Sequence, residues 1–133
     1  MGKVDKETAE KDVNTWLDYK QIGDSKRESN VTSVESLVQA VMDGFLVLNT
    51  ENKSWIQTLK FPLKEELPVE KLEYKPRLKL SEVHTGMQGA KTTDAYALLC
   101  AYVSVLTGKP KNIIKALDTE DYGIAQSIAT FFL

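Results

Sequence analysis

The apolar positions of this chain follow two periods. Residues 5–19 place Ala9, Val13, Trp16 and Leu17 at offsets 0, 4, 7 and 8, the stripe of an amphipathic helix with charge on its other faces. Gly23 to Asn30 is polar throughout and reads as a mobile linker, so the first helix is expected to be loosely attached. Thr32 with Glu35 forms a capping box, after which Val34, Leu37, Val38, Val41 and Met42 give a second stripe that stops at Asp43-Gly44. The period then drops to two. Phe45 to Leu48 is a short apolar run and Asn49 to Lys53 can turn. Trp55, Gln57, Leu59 and Phe61 then alternate with Ile56, Thr58 and Lys60, which reads as a hairpin. Pro62, the tract Lys64-Glu65-Glu66 and Pro68 interrupt the alternation. Leu72 and Tyr74 resume it against Glu73 and Lys75, and Pro76 closes the third strand.

Past the strands, Leu78, Leu80 and Val83 precede an apparent loop from Thr85 to Lys91. Asp94 to Leu106 is a helix apolar on nearly all sides, ended by Gly108 as a left-handed cap, with Pro110 opening the next short helix. It is expected to be the central core element, with Leu98 and Leu99 buried. Asp118 is the N-cap of a last helix, with acids in its first turn and Leu117 positioned to staple onto Tyr122. Ile124, Ala125, Ile128, Phe131 and Phe132 form its apolar side. These elements predict an α+β fold. Helices near 33–43, 94–106 and 119–132 cover one face of a small three-stranded antiparallel sheet built from 45–49, 54–61 and 70–75. The predicted organisation is an N-terminal amphipathic helix and polar linker over 1–30, followed by a single compact domain over 31–133 with a C-terminal helical region.

Both end segments carry apolar side chains beyond what a small monomer needs. Trp16, Leu17, Phe131, Phe132 and Leu133 are therefore the candidate partner-binding residues, open to another protein or to a second copy of this chain. Packing into the chain's own core is the competing reading, strongest for Phe131.

Composition narrows the function classes. With 133 residues, 42% of them hydrophobic, the chain has material for one core without disulfides or metal. Its 17 basic and 19 acidic side chains leave a net charge of −2, without the basic surplus that binding a phosphate backbone demands. No apolar stretch approaches the roughly 20 residues needed to cross a bilayer, and Met1 to Glu10 has no signal-peptide core, so a soluble intracellular protein is expected. The one cysteine, Cys100, lies mid-helix among apolar neighbours, where a thiol is inert. The one histidine, His84, offers no triad or multi-histidine metal site and reads as solvated. Gly89-Ala90-Lys91-Thr92 fails the spacing of a phosphate-binding loop, and Gly86-Met87-Gln88-Gly89 reads as a turn although it has the form of an RNA-clamping tetrapeptide. The acid pairs Glu65-Glu66 and Glu120-Asp121 are explained by a loop tract and a helix first turn. No catalytic residue, cofactor or metal is expected, and the protein is expected to work by being bound.

The order of elements carries a resemblance. The strand pair around Thr58-Leu59-Lys60-Phe61-Pro62-Leu63 and Leu72-Glu73-Tyr74-Lys75-Pro76-Arg77 is followed by a threonine-aspartate helix start. Then come Leu106-Thr107-Gly108-Lys109-Pro110 and Leu117-Asp118-Thr119-Glu120-Asp121-Tyr122 before the terminal helix. Over residues 56–133 this resembles the small tail assembly chaperones of long-tailed bacteriophages, particularly Mu-like ones; residues 1–54 are longer than that pattern and read as an added arm. The resemblance implies a non-catalytic cytoplasmic factor of the bacterial host. Such a factor binds the long hydrophobic tape measure protein, assists tail tube protein to polymerise around it, and is absent from the mature virion. Two rivals come from other classes: a structural tail or neck component that stays in the particle, and a small intracellular adaptor, regulator or enzyme.

Overall fold

The computed structural model describes residues 3–64, 68–88 and 94–133. Ten elements are present among them: α1 (Lys6–Tyr19), α2 (Asp24–Ser29), α3 (Val31–Met42), β1 (Leu46–Leu48), β2 (Trp55–Leu63), β3 (Val69–Tyr74), α4 (Leu80–Gly86), α5 (Ala95–Thr107), α6 (Lys111–Lys115) and α7 (Thr119–Thr130). The fold is α+β, with seven helices and one antiparallel sheet in the order β1-β2-β3. The register pairs Leu46 with Gln57 and Leu48 with Trp55, and on the other side Trp55 with Tyr74 and Gln57 with Leu72. Leu46, Leu48, Trp55, Leu59, Leu72 and Tyr74 therefore share the buried face, where α3 packs on β1, α7 on β2 and α5 on β3. Beyond this layer α1 packs on α3, and α4 and α6 pack on α5.

The first helix is bound into that core. Asp5 caps it by accepting from the Thr8 N–H at 2.8 Å, and Ala9, Val13, Trp16 and Leu17 are all buried. The Trp16 ring meets Trp55 at 5.7 Å and Phe131 at 5.9 Å between centroids, both edge-on. Residues 23–30, read as a mobile linker, instead hold α2. Arg27 anchors it, donating from Nε to the Ile22 carbonyl at 2.9 Å and from Nη2 to Asp18 at 2.7 Å. Nothing in the packing divides the chain at residue 30: the apolar stripe of α1 needs cover, and α3 and β2 supply it. The expected capping box at Thr32 is also displaced. Asn30 is the N-cap of α3, makes no side-chain cap bond there, and donates instead from Nδ2 to the Lys26 carbonyl at 2.9 Å, joining α2 to α3.

Two further corrections concern α4 and α5. Thr85 and Gly86, read as loop, complete α4, and Gly86 lies against α5. A Cβ there would lie 2.0 Å from Val105 Cγ2, so any larger residue forces the Val105 side chain or the helix to move. α5 is capped by Asp94, which accepts from the Ala97 N–H at 3.2 Å, and is terminated by Gly108 at φ +70°. Its burial is one-sided, however. Cys100, Ala101, Val103 and Leu106 are buried, but Ala95 and Tyr96 are exposed and Leu98 and Leu99 only half-buried. A helix apolar on every side does not announce which face is covered, and here full coverage begins only at Cys100.

Candidate partner-binding surface

The predicted site residues separate on burial. Trp16, Leu17 and Phe131 are sealed in the core at 2% exposure or less and offer no surface to another chain. Phe132 is half-buried, 6.1 Å from the Trp16 ring, and lies under the Lys20 ammonium at 3.4 Å from its centroid. Leu133 alone stays open at 51%, its main-chain oxygen accepting from Lys26 Nζ at 3.0 Å. The structure thus joins both end segments into one aromatic cluster inside the fold, and of the five candidate residues Phe132 and Leu133 alone face outward.

The largest apolar exposure lies elsewhere. Leu80, the first residue of α4, is 85% exposed, and Tyr96 in the first turn of α5 is 53% exposed. Ala97, Leu98 and Leu99 are half-covered beside Tyr96, whose ring lies 6.1 Å from that of Tyr122, and together they make an apolar region over the N-terminal half of α5; α4 packs further along, where Gly86 meets Val105. Sequence reasoning passed over it because an all-apolar helix was assigned to the interior. The uncovered face of the sheet supplies a second apolar area, with Val47 exposed, its β2 partner Ile56 half-covered, and Phe45 beneath the Lys60 ammonium at 5.2 Å.

An extended buried polar network among the described residues is structural. β1 pairing on β2 ends where the Thr58 N–H donates to the Phe45 carbonyl at 2.8 Å, and the register on the β3 side shifts between Thr58 and Leu63. There the Asp121 carboxylate accepts from the consecutive N–H groups of Lys60 at 2.8 Å and Phe61 at 3.0 Å. Neighbouring amides of a regular strand point to opposite sides, so this double acceptance requires the bulge. Gln57 Nε2 donates to the Asp121 carbonyl at 3.0 Å, and the Tyr74 hydroxyl donates to Gln57 Oε1 at 2.5 Å. Burial, with Asp121 nearby, raises the Tyr74 phenol well above its ordinary value. Asp121, read from sequence as a first-turn acid, is in fact fully buried and ties α7 to β2.

Other chemistry is thin among the described residues. Cys100 is a buried free thiol 3.8 Å from the Tyr122 hydroxyl, and burial raises the Tyr122 phenol, with the thiol contributing. His84 is exposed, on the last turn of α4. No group of three or more His, Cys, Asp or Glu side chains that could hold a metal is found among the described residues. Glu65-Glu66 and Gly89 to Thr92 lie outside them. No described helix is long and apolar enough to cross a membrane. No family model, curated protein or solved structure matches the chain.

Proposed function

We propose that this chain is a non-catalytic phage tail assembly chaperone. In this reading it binds the tape measure protein, keeps that long apolar chain soluble while tail tube protein assembles around it, and acts in the cytoplasm of the bacterial host before leaving the finished tail. The observation that carries the reading is the incompletely covered α5. A small domain that holds Leu80, Tyr96 and Leu98 toward solvent while burying Trp16 and Phe131 has kept apolar area at its surface next to a finished core. Such area suits the apolar face of a helical segment, laid against it at i, i+3 and i+4 spacing. The order of strand pair, capped helix, Gly108 terminator and Asp118-capped helix supports it on the side of sequence.

The test is co-expression with the candidate tape measure protein, the very long reading frame that this reading expects beside the gene for this chain. A chaperone raises the soluble fraction of the tape measure protein, co-purifies with it, and is missing from purified particles. Retention in the particles at fixed stoichiometry selects the structural tail or neck component instead, and no effect on tape measure solubility rejects the chaperone reading.

A further inference from the structure

The face of the sheet turned away from the helices is not the polar surface that a one-sided antiparallel sheet ordinarily presents to water. Two rows of side chains cross it. Val47, Ile56 and Glu73 form the first, because Val47 pairs with Ile56 and Ile56 with Glu73. Phe45, Thr58 and Lys71 form the second, since the Thr58 N–H donates to the Phe45 carbonyl at 2.8 Å and Thr58 pairs with Lys71. Side chains alternate between the two faces along a strand, so these rows lie opposite the buried Leu46, Gln57 and Leu72, on the side that α3, α5 and α7 leave open. Val47 is 57% exposed, Phe45, Ile56 and Thr58 are half-covered, and Lys71 and Glu73 are exposed. β1 and β2 thus supply apolar side chains and a threonine, while β3 supplies one base and one acid, one in each row.

We propose that this face is a self-association surface on which a second copy of the chain packs sheet to sheet. The order of the two charges along β3 decides the fit. A second copy given half a turn about an axis in the plane of contact, across the strands and midway between the rows, lays each strand over its own counterpart with the rows exchanged. Glu73 then faces the second copy's Lys71 and Lys71 its Glu73, while Val47 meets Phe45 and Ile56 meets Thr58, each contact made twice. The other two-fold, along β2, sets Val47 over Glu73 and Phe45 over Lys71, which presses charges onto apolar side chains. A partner of single sign gains little here, because Lys71 and Glu73 offset each other. Strands about 4.8 Å apart and some 20 Å long give the face on the order of 300 Å² per copy, against roughly 800 Å² in a standard interface, so the pair is weak and reversible. The helical layers lie on the outside of such a pair. α5 of each copy stays clear of the joint, and the association is independent of tape measure binding.

Sedimentation velocity of the full chain at low salt, from about 1 to about 300 µM, tests this; dimer should accumulate with a dissociation constant on the order of 10–100 µM. Val47→Glu should weaken it about 10-fold or more, whereas Leu80→Glu, at the exposed start of α4, should change it less than about 2-fold. Lys71→Glu alone and Glu73→Lys alone each set like charges opposite one another and should each weaken the dimer about 10-fold. An equimolar mixture of those two single variants sets opposite charges at both places, and should restore the dimer to within about 3-fold of the original. Circular dichroism checks that each variant folds. If Val47→Glu does not, the two charge variants, both at exposed positions, carry the test. A chain that stays monomeric throughout, single charge variants that dimerise as before, or a mixture that recovers nothing overturns the proposal. A dimer lost in Leu80→Glu and kept in Val47→Glu overturns it as well, by moving the contact to the helical side.

Discussion

Asp121 carries more structural weight than any other polar residue described in this chain. Its carboxylate serves two strand amides at once, in a position from which water is excluded. Asp121→Ala leaves both donors without partners and should cost roughly 2–4 kcal/mol, read from urea denaturation at neutral pH. Asp121→Asn, which keeps one accepting oxygen, should cost less. Titration exposes three other residues. The folded state lowers Lys20 from 10.5 to about 8, so between those values the unfolded chain binds more protons and stability rises with pH. Tyr74 and Tyr122 are shifted upward from 10, so the folded chain binds more protons above that pH and stability falls there. Denaturation midpoints should therefore climb gently from about pH 8 and drop beyond pH 10. Lys20→Met should remove the climb, and Tyr74→Phe part of the drop. From sequence, Asp121 was visible only as a helix first-turn acid, because the strand bulge that gives it partners arises from residues some 60 positions away.

Elements with a defined period and a cap were legible. The strands, α3, α5 and α7 stand within a few residues of where alternation, the Asp94 and Asp118 caps and the Gly108 terminator place them. Elements without an apolar stripe were not. α2 has no buried residue and is held by Arg27 and Asn30, while α4 has none and is held by contact across Gly86. Gly86→Ala should push α4 away from Val105 and cost about 1–3 kcal/mol. Because α4 contributes little to the core, its amides should exchange faster in that variant while those of α7 stay protected. The terminal tripeptide behaves oppositely. Since Phe131 is buried edge-on against Trp16, removing residues 131–133 should cost about 3–5 kcal/mol in thermal melts, as expected of core residues.

On the scale of the molecule, what the sequence hid was which apolar residues end up outside. Trp16, Leu17 and Phe131 read as surplus at the ends of the chain, yet they join one core cluster in which the Trp16 ring meets both Trp55 and Phe131. Leu98 read as interior, yet it stands half-open on the N-terminal half of α5. Pattern reports that a helix is apolar; only the assembled layer of α1, α3, α7 and α5 determines which apolar face runs out of neighbours. The account therefore stands or falls on where a tape measure segment would touch. Amide hydrogen exchange of the full chain, alone and in complex with the tape measure protein, measures this directly. Added protection over residues 80–88 and 95–102, with little change at 46–48 and 55–60, is the predicted result. Protection confined to the open sheet face, or none anywhere, would contradict it.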